Sequence, residues 1–70
     1  MQSEDFLKRI GENIVRIRKE KGLKQVDLAG LLNMEDSSLR RIEKGRVNST
    51  IIMLKKISEA LQVDIENLLK

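Results

Sequence analysis

The chain has 70 residues and a formal net charge of +3, and it contains no cysteine, histidine or proline. This length allows one domain at most, and the missing Cys and His exclude disulfides, thiolate or imidazole metal sites and any Cys- or His-based catalysis. No apolar run approaches the roughly 20 residues that span a bilayer, and the acidic N-terminus is unlike a secretory signal, so we expect a cytoplasmic protein. Because Cys and His are missing, we also expect that the protein is not an enzyme and needs no cofactor or metal.

The first predicted helix covers residues 4–21. Its apolar side chains recur at spacings of four, four and three, which places them on one helical face: Phe6, Ile10, Ile14 and Ile17. Ser3 is the predicted N-cap, and Gly22 is the predicted C-cap.

A second helix is predicted over residues 24–32, with Leu28, Leu31 and Leu32 buried. Gly30 lies inside this helix, where glycine costs about 1 kcal/mol relative to alanine, and the sequence offers no reason for it. Asn33 follows at a turn, because asparagine tolerates the left-handed conformation better than most residues.

A third helix is predicted over residues 36–44. Leu39 and Ile42 face inward, and Gly45 ends the helix. The segment 33–46, NMEDSSLRRIEKGR, has Glu35 and Asp36 near its start and basic residues near its end. The first and last turns of the predicted helix therefore carry opposite charge.

Two more helices complete the chain. Ser49 or Thr50 caps a helix over residues 50–61, and Asp64 caps a last helix over residues 64–69. The predicted core face of the fourth helix consists of four residues: Ile51, Leu54, Ile57 and Leu61. Five short helices with connections of a few residues predict an all-α, compact bundle.

Charge is distributed unevenly along these helices. Residues 8–24 contain seven basic and two acidic residues, residues 36–46 contain four and two, and residues 47–70 are balanced. The first two thirds therefore favour an anionic partner, whereas the last third is neutral and apolar.

Residues 24–45, KQVDLAGLLNMEDSSLRRIEKG, resemble the Cro/repressor-like helix-turn-helix family of the xenobiotic-response-element type. That family contains phage repressors, restriction-modification controller proteins and many antitoxins. Its pattern is roughly Ser/Thr-Gln-x-x-Leu-Ala, a Gly-Val-Ser turn, and a helix ending Ile-x-x-Ile-Glu-x-Gly. The matching residues in this segment are Gln25, Leu28, Ala29, Leu39, Ile42, Glu43 and Gly45. Matches outside it extend the resemblance to about residues 6–69: Arg18, Gly22, Leu54, Ala60, Leu61, Val63 and Leu68.

The chain departs from the family pattern mostly at the turn. Asn33, Met34 and Glu35 replace the Gly-Val-Ser turn, Lys24 stands where a Ser or Thr cap is usual, and Ser49 stands where proline is common. The chemistry of these residues remains compatible with the fold, because asparagine suits the turn and Asp36 or Ser37 can cap the third helix. The resemblance thus implies one lambda-repressor-like DNA-binding domain over residues 1–70.

The resemblance places the third helix in the major groove of double-stranded DNA. The base-reading residues are then Asp36, Ser37 and Arg41, with Arg40 beside them. Arg41 can bond both acceptors of a guanine. Asp36 has two interpretations, since its carboxylate can cap the helix or accept a hydrogen bond from a cytosine amino group.

The expected contacts to DNA phosphates lie at both ends of the helix-turn-helix. Gln25 and Lys24 stand at the start of the second helix, and Lys44 and Arg46 flank Gly45. The alternative for each side chain is an ordinary solvated surface group, and it weighs more against Lys24 and Lys44 than against Gln25 and Arg46.

Two further expectations concern structure rather than DNA. Arg18 and Glu43 match the family's internal ion pair. Family members usually bind as two-fold dimers, and three residues could form the dimer surface or complete the monomer core: Met53, Ile65 and Leu69. The predicted function is a sequence-specific transcriptional regulator, a dimeric repressor or controller; the alternative is an antitoxin-like or adaptor module that binds proteins.

Overall fold

A computed structural model describes residues 3–70, and every regular element in that range is a helix. The bounds are Ser3–Glu20 for α1, Gln25–Leu31 for α2, Asp36–Glu43 for α3, Ile51–Leu61 for α4 and Glu66–Leu69 for α5. The prediction of an all-α fold is confirmed, and the described helices begin and end within two residues of the predicted bounds.

The first four helices end in the same backbone motif. One of the two residues that follow each helix has a positive φ angle: 75° at Gly22, 54° at Asn33, 70° at Gly45 and 60° at Gln62. The next backbone N–H then donates to the carbonyl oxygen five residues back, as Leu23 does to Arg18 at 3.0 Å. This arrangement satisfies carbonyls that the helix end would leave without a partner. The sequence indicated the turns at Gly22, Asn33 and Gly45, but not the one at Gln62.

The helix starts agree less well with the predicted caps. The Thr50 hydroxyl accepts a hydrogen bond from the Met53 backbone N–H at 3.1 Å, so Thr50 rather than Ser49 caps α4. Ser3 already lies inside α1, and α5 begins two residues after Asp64. The predictions of Ser3 and Asp64 as caps were therefore wrong, because neither helix begins at the residue that follows its predicted cap.

The core gathers one face from every helix, with α1 packed against α3 and α5, and α2 packed against α3. Its buried apolar residues are Ile10, Ile14, Ile17, Leu28, Ala29, Leu39, Ile42, Leu54, Ile57, Leu61 and Leu68. Most of them are the residues whose spacing predicted a buried face.

Three residues predicted in the core lie at the surface instead. Phe6 is 40% exposed, Leu31 is 62% exposed and Ile51 is 63% exposed. Each stands near one end of its helix, and Leu31 lines an open surface groove with Lys56 and Ala60 of α4 without being covered by them. Helical periodicity therefore predicted the correct buried face of each helix, but it extended the buried part too far toward these helix ends.

Two glycines allow α1 to lie unusually close to the end of α3. A Cβ atom on Gly11 would lie 2.1 Å from the Glu43 carbonyl oxygen, and one on Gly45 would lie 2.7 Å from the Lys8 backbone nitrogen. No larger residue fits at either position without moving backbone atoms. This close contact fixes the C-terminal end of α3 against α1.

Candidate nucleic-acid interface

The turn between α2 and α3 sets the angle of the two helices. Asn33 adopts the left-handed conformation that its residue type predicted, and the Met34 N–H donates to the Ala29 carbonyl at 3.0 Å. Met34 then packs against the core, and Glu35 is extended at the start of α3. The departures from the family pattern thus build an ordinary helix-turn-helix connection.

One side of α3 is entirely polar and exposed. The residues on it are Asp36, Ser37, Arg40, Arg41 and Lys44. At 3.6 residues per turn they share an arc of about 140°, opposite the buried Leu39 and Ile42. The four predicted base-reading residues therefore lie side by side on this polar face.

The first turn of α3 carries negative charge without a side-chain cap. Glu35 occupies the N-cap position, but its carboxylate accepts no capping hydrogen bond from the described residues. Asp36 is the first helical residue, so the prediction that Asp36 or Ser37 caps this helix was wrong. Both carboxylates still lie near the positive end of the helix dipole, which favours them by a few tenths of a kcal/mol to about 1 kcal/mol.

A buried ion pair joins α1 to the end of α3. The Arg18 Nε donates to Glu43 Oε2 at 2.8 Å, and an Arg18 terminal nitrogen donates to Glu43 Oε1 at 3.2 Å. The other terminal nitrogen of Arg18 donates to the Leu23 carbonyl oxygen at 3.1 Å. Each of the two charged residues is 7% exposed. The pair therefore connects α1, the turn before α2, and α3.

Gln25 joins the same group of hydrogen bonds. Its Nε2 donates to Glu43 Oε1 at 2.8 Å, and the residue is half-buried. The sequence suggested only an outward contact to phosphate for Gln25. The inward hydrogen bond could not be found from sequence, because Gln25 and Glu43 are 18 residues apart.

The other three predicted phosphate contacts are exposed. Lys24 occupies the N-cap position of α2, where its backbone N–H donates to Asp27 Oδ2 at 2.8 Å. Lys44 and Arg46 line a surface groove between the ends of α1 and α3. Lys8 lies in this groove as well, beside Gly45.

That groove has no clear preference for anions. Besides its basic residues it is lined by Glu4 and Glu12 of α1. Within residues 3–70, no group of three or more acidic side chains is placed to hold a metal ion.

The three dimer candidates are half-buried rather than exposed. Met53, Ile65 and Leu69 all pack against the core. The most exposed large apolar residues of α4 are Ile51 and Ile52 in its first turn.

None of the described helices is long and apolar enough to cross a membrane.

Comparison with known proteins supports a common origin for this arrangement. Residues 14–68 match the helix-turn-helix family. The chain is 37% identical over 59 residues to an uncharacterized HTH-type transcriptional regulator of Sinorhizobium fredii, a match that covers 84% of this chain and 77% of that protein. It is 38% identical over 56 residues to the immunity repressor protein of Bacillus phage phi105, which covers 80% of this chain but only 39% of the repressor.

The fold has a close counterpart among solved structures. The restriction-modification controller protein C.AhdI from Aeromonas hydrophila superimposes with a TM-score of 0.84 at 29% identity. The superposition covers 89% of this chain and 94% of the controller protein.

Proposed function

This chain belongs to the helix-turn-helix family of DNA-binding transcriptional regulators, and we propose from that premise that it recognises a specific sequence in double-stranded DNA. The regulator acts as a repressor or controller in the cytoplasm, by binding alone and without catalysis. The observation that supports this most directly is the polar face of α3, which combines exposed arginines with small polar groups.

The proposed contacts to bases come from the polar face of α3 in the major groove. Arg41 donates two hydrogen bonds to a guanine, with Arg40 beside it. Ser37 contacts either a base or a phosphate. Asp36 accepts from a cytosine amino group, and its carboxylate also lies near the positive end of the helix dipole. A carboxylate among the base contacts reduces the number of DNA sequences that the protein can bind, because it repels base edges that present only hydrogen-bond acceptors.

Phosphate contacts supply attraction that does not depend on sequence. We place them at Lys24 and Gln25 at the start of α2, and at Lys44 and Arg46 at the end of α3. The hydrogen bond from Gln25 to Glu43 brings the start of α2 beside the end of α3, so the proposed phosphate contacts gather near the C-terminal end of the polar face.

We further propose that the regulator binds as a homodimer. One copy of the domain offers a small footprint, and two-fold dimers of helix-turn-helix proteins contact half-sites about one helical turn apart. The neutral last third of the chain is the proposed interface, with Met53, Ile65 and Leu69 reaching it from the edge of the core.

Selection of bound duplexes from a random DNA pool at physiological salt tests the proposal. We expect enrichment of an inverted repeat with a guanine in each half-site. Binding that responds to salt but enriches no sequence would contradict the proposed function, because phosphate contacts alone give that result.

A second candidate function is an antitoxin-like or adaptor module that binds a protein. The observation that favours it is the exposed acidic pair Glu35 and Asp36 at the start of α3, which repels phosphates. The same selection separates the two functions, since a protein-binding module would show no enriched sequence.

A further inference from the structure

The hydrogen bond from Gln25 to Glu43 uses only part of the Gln25 amide. A primary amide carries two N–H donors and one carbonyl acceptor. One donor meets Glu43 Oε1 at 2.8 Å, while the residue as a whole is only half-buried at the first position of α2. A second N–H therefore remains for a group outside the protein.

The acceptor of this bond is itself held firmly. Both oxygens of the Glu43 carboxylate accept hydrogen bonds from the buried Arg18 guanidinium, at 2.8 and 3.2 Å. Two hydrogen bonds in parallel fix the plane of the carboxylate as well as its position. Because the carboxylate is held in place, the hydrogen bond that Gln25 donates to it restrains the orientation of the amide.

We propose that Glu43 is a positioning residue for DNA binding, which holds the Gln25 amide so that its second N–H meets a phosphate oxygen. The inference rests on the proposed DNA-binding function. It gives the Arg18–Glu43 ion pair a role beyond stability, because the pair orients a neutral donor at the surface. An unrestrained glutamine would lose rotamer freedom on binding, and the fixed one has lost it already.

The test is a double-mutant cycle on affinity for the selected duplex, with Gln25→Met, Glu43→Gln and the double variant. Methionine matches the length of glutamine without a donor, and Glu43→Gln retains an acceptor oxygen while losing the charge. All variants are measured at a temperature where circular dichroism shows them folded. We expect Gln25→Met to weaken binding about tenfold, since the lost hydrogen bond is to a charged group.

Two expected features identify a neutral phosphate contact, and a third, the coupling between the two substitutions, distinguishes positioning from general destabilisation. The loss from Gln25→Met is the same on all DNA sequences, and it leaves the salt dependence of affinity unchanged, because a neutral side chain displaces no counterion. In the Glu43→Gln background, Gln25→Met costs at least threefold less than in the native protein. Additive effects within twofold, or an unchanged affinity of Gln25→Met, would overturn the inference.

A measurement on the native chain covers the case in which Glu43→Gln fails to fold. In nuclear magnetic resonance spectra of the free protein, one side-chain amide proton of Gln25 should exchange slowly, and the other should shift when duplex is added. Rapid exchange of both protons, with no shift on adding duplex, would overturn the inference. If the native chain binds no DNA sequence selectively, both the proposed function and this inference are wrong. If the native chain binds selectively and Gln25→Met binds equally well, the proposed function stands and only this inference is wrong.

Discussion

Arg18 and Glu43 place opposite charges where little water reaches either residue, since each is only 7% exposed. Removing a charge from water is costly, and two hydrogen bonds between the partners and a third from Arg18 to the Leu23 carbonyl offset part of that cost. No buried side-chain nitrogen or oxygen of the described residues lacks a hydrogen-bond partner. The pair is therefore stable as a unit and sensitive to the loss of either member.

Replacing Glu43 by alanine should destabilise the domain by about 3–5 kcal/mol, because Arg18 would remain buried without its partner. Thermal unfolding followed by circular dichroism measures the change. The matched control is Arg16→Ala, since Arg16 and Glu20 form an exposed pair at 3.7 Å, and such pairs contribute less than about 1 kcal/mol. A melting temperature of Glu43→Ala equal to that of the native protein would exclude this role for the pair.

Arg41 should determine one base pair of the DNA site. Arg41→Ala removes a side chain that is exposed on α3, so we expect folding to be unaffected. Discrimination at one guanine should fall by about 1–3 kcal/mol, while the preferences at other positions persist. Binding competitions with duplexes that differ at single positions measure this. A uniform loss over all positions would instead assign Arg41 to a phosphate.

At the scale of helices, the ends are specified by different kinds of residue. The first four helices finish with a left-handed residue, whereas their starts share no common cap. Thr50 supplies a side-chain cap to α4, and Asp27 of α2 accepts from the Lys24 backbone. Glu35 supplies no such bond to described residues of α3. The helix ends were therefore easier to predict than the helix starts.

Thr50→Ala should destabilise the domain by about 1 kcal/mol, because the Met53 N–H loses its acceptor. Ser49→Ala provides the control at the neighbouring hydroxyl and should change stability by less than about 0.5 kcal/mol. Chemical denaturation at constant temperature measures both. Equal effects of the two substitutions would show that Thr50 does not act as the cap.

Glycines in α1 and α2 should respond to alanine in opposite ways. No heavy atom of the described residues lies within 4 Å of a Cβ built on Gly30, so Gly30→Ala should stabilise the domain by about 0.5–1 kcal/mol. Gly11→Ala should destabilise it, because the new Cβ would meet the Glu43 carbonyl oxygen. Denaturation curves of the two variants measure the contrast. Stabilisation by Gly11→Ala would disprove the close contact of α1 with α3.

At the scale of the molecule, the excess of basic charge is confined to the first two thirds of the chain. The excess of basic residues lies in the segments 8–24 and 36–46, which cover most of α1 and all of α3, and residues 47–70 are neutral. Because like-charged surfaces repel one another, two copies would associate more readily through the neutral part. This separation is what supports a dimer whose basic sides face the DNA.

Sedimentation equilibrium should therefore show a monomer–dimer equilibrium that DNA shifts toward the dimer. Leu69→Glu should weaken association by placing charge in the proposed interface, and it is measured where circular dichroism shows the variant folded, because Leu69 also packs against the core. Leu31→Glu is the control, since Leu31 is an exposed apolar residue on α2, outside the neutral third. A monomer at every concentration, with and without DNA, would contradict the dimer.

Much of the fold could be predicted from the sequence because its signals are local. The spacing of Ile10, Ile14 and Ile17 determines a buried face whatever packs against it, and Gly22, Asn33 and Gly45 end helices through their own conformational preferences. The polar face of α3 follows in the same way, because its residues alternate with Leu39 and Ile42 at helical spacing.

The tertiary structure decided what depends on neighbours distant in sequence. Whether Phe6, Leu31 and Ile51 are covered depends on where other helices stop, which no pattern within one helix records. Gln25 turns toward Glu43, and Gly11 is required by the Glu43 backbone, for the same reason. Periodicity and conformational preference belong to a segment alone, whereas burial and hydrogen-bond partners exist only once the segments are packed together.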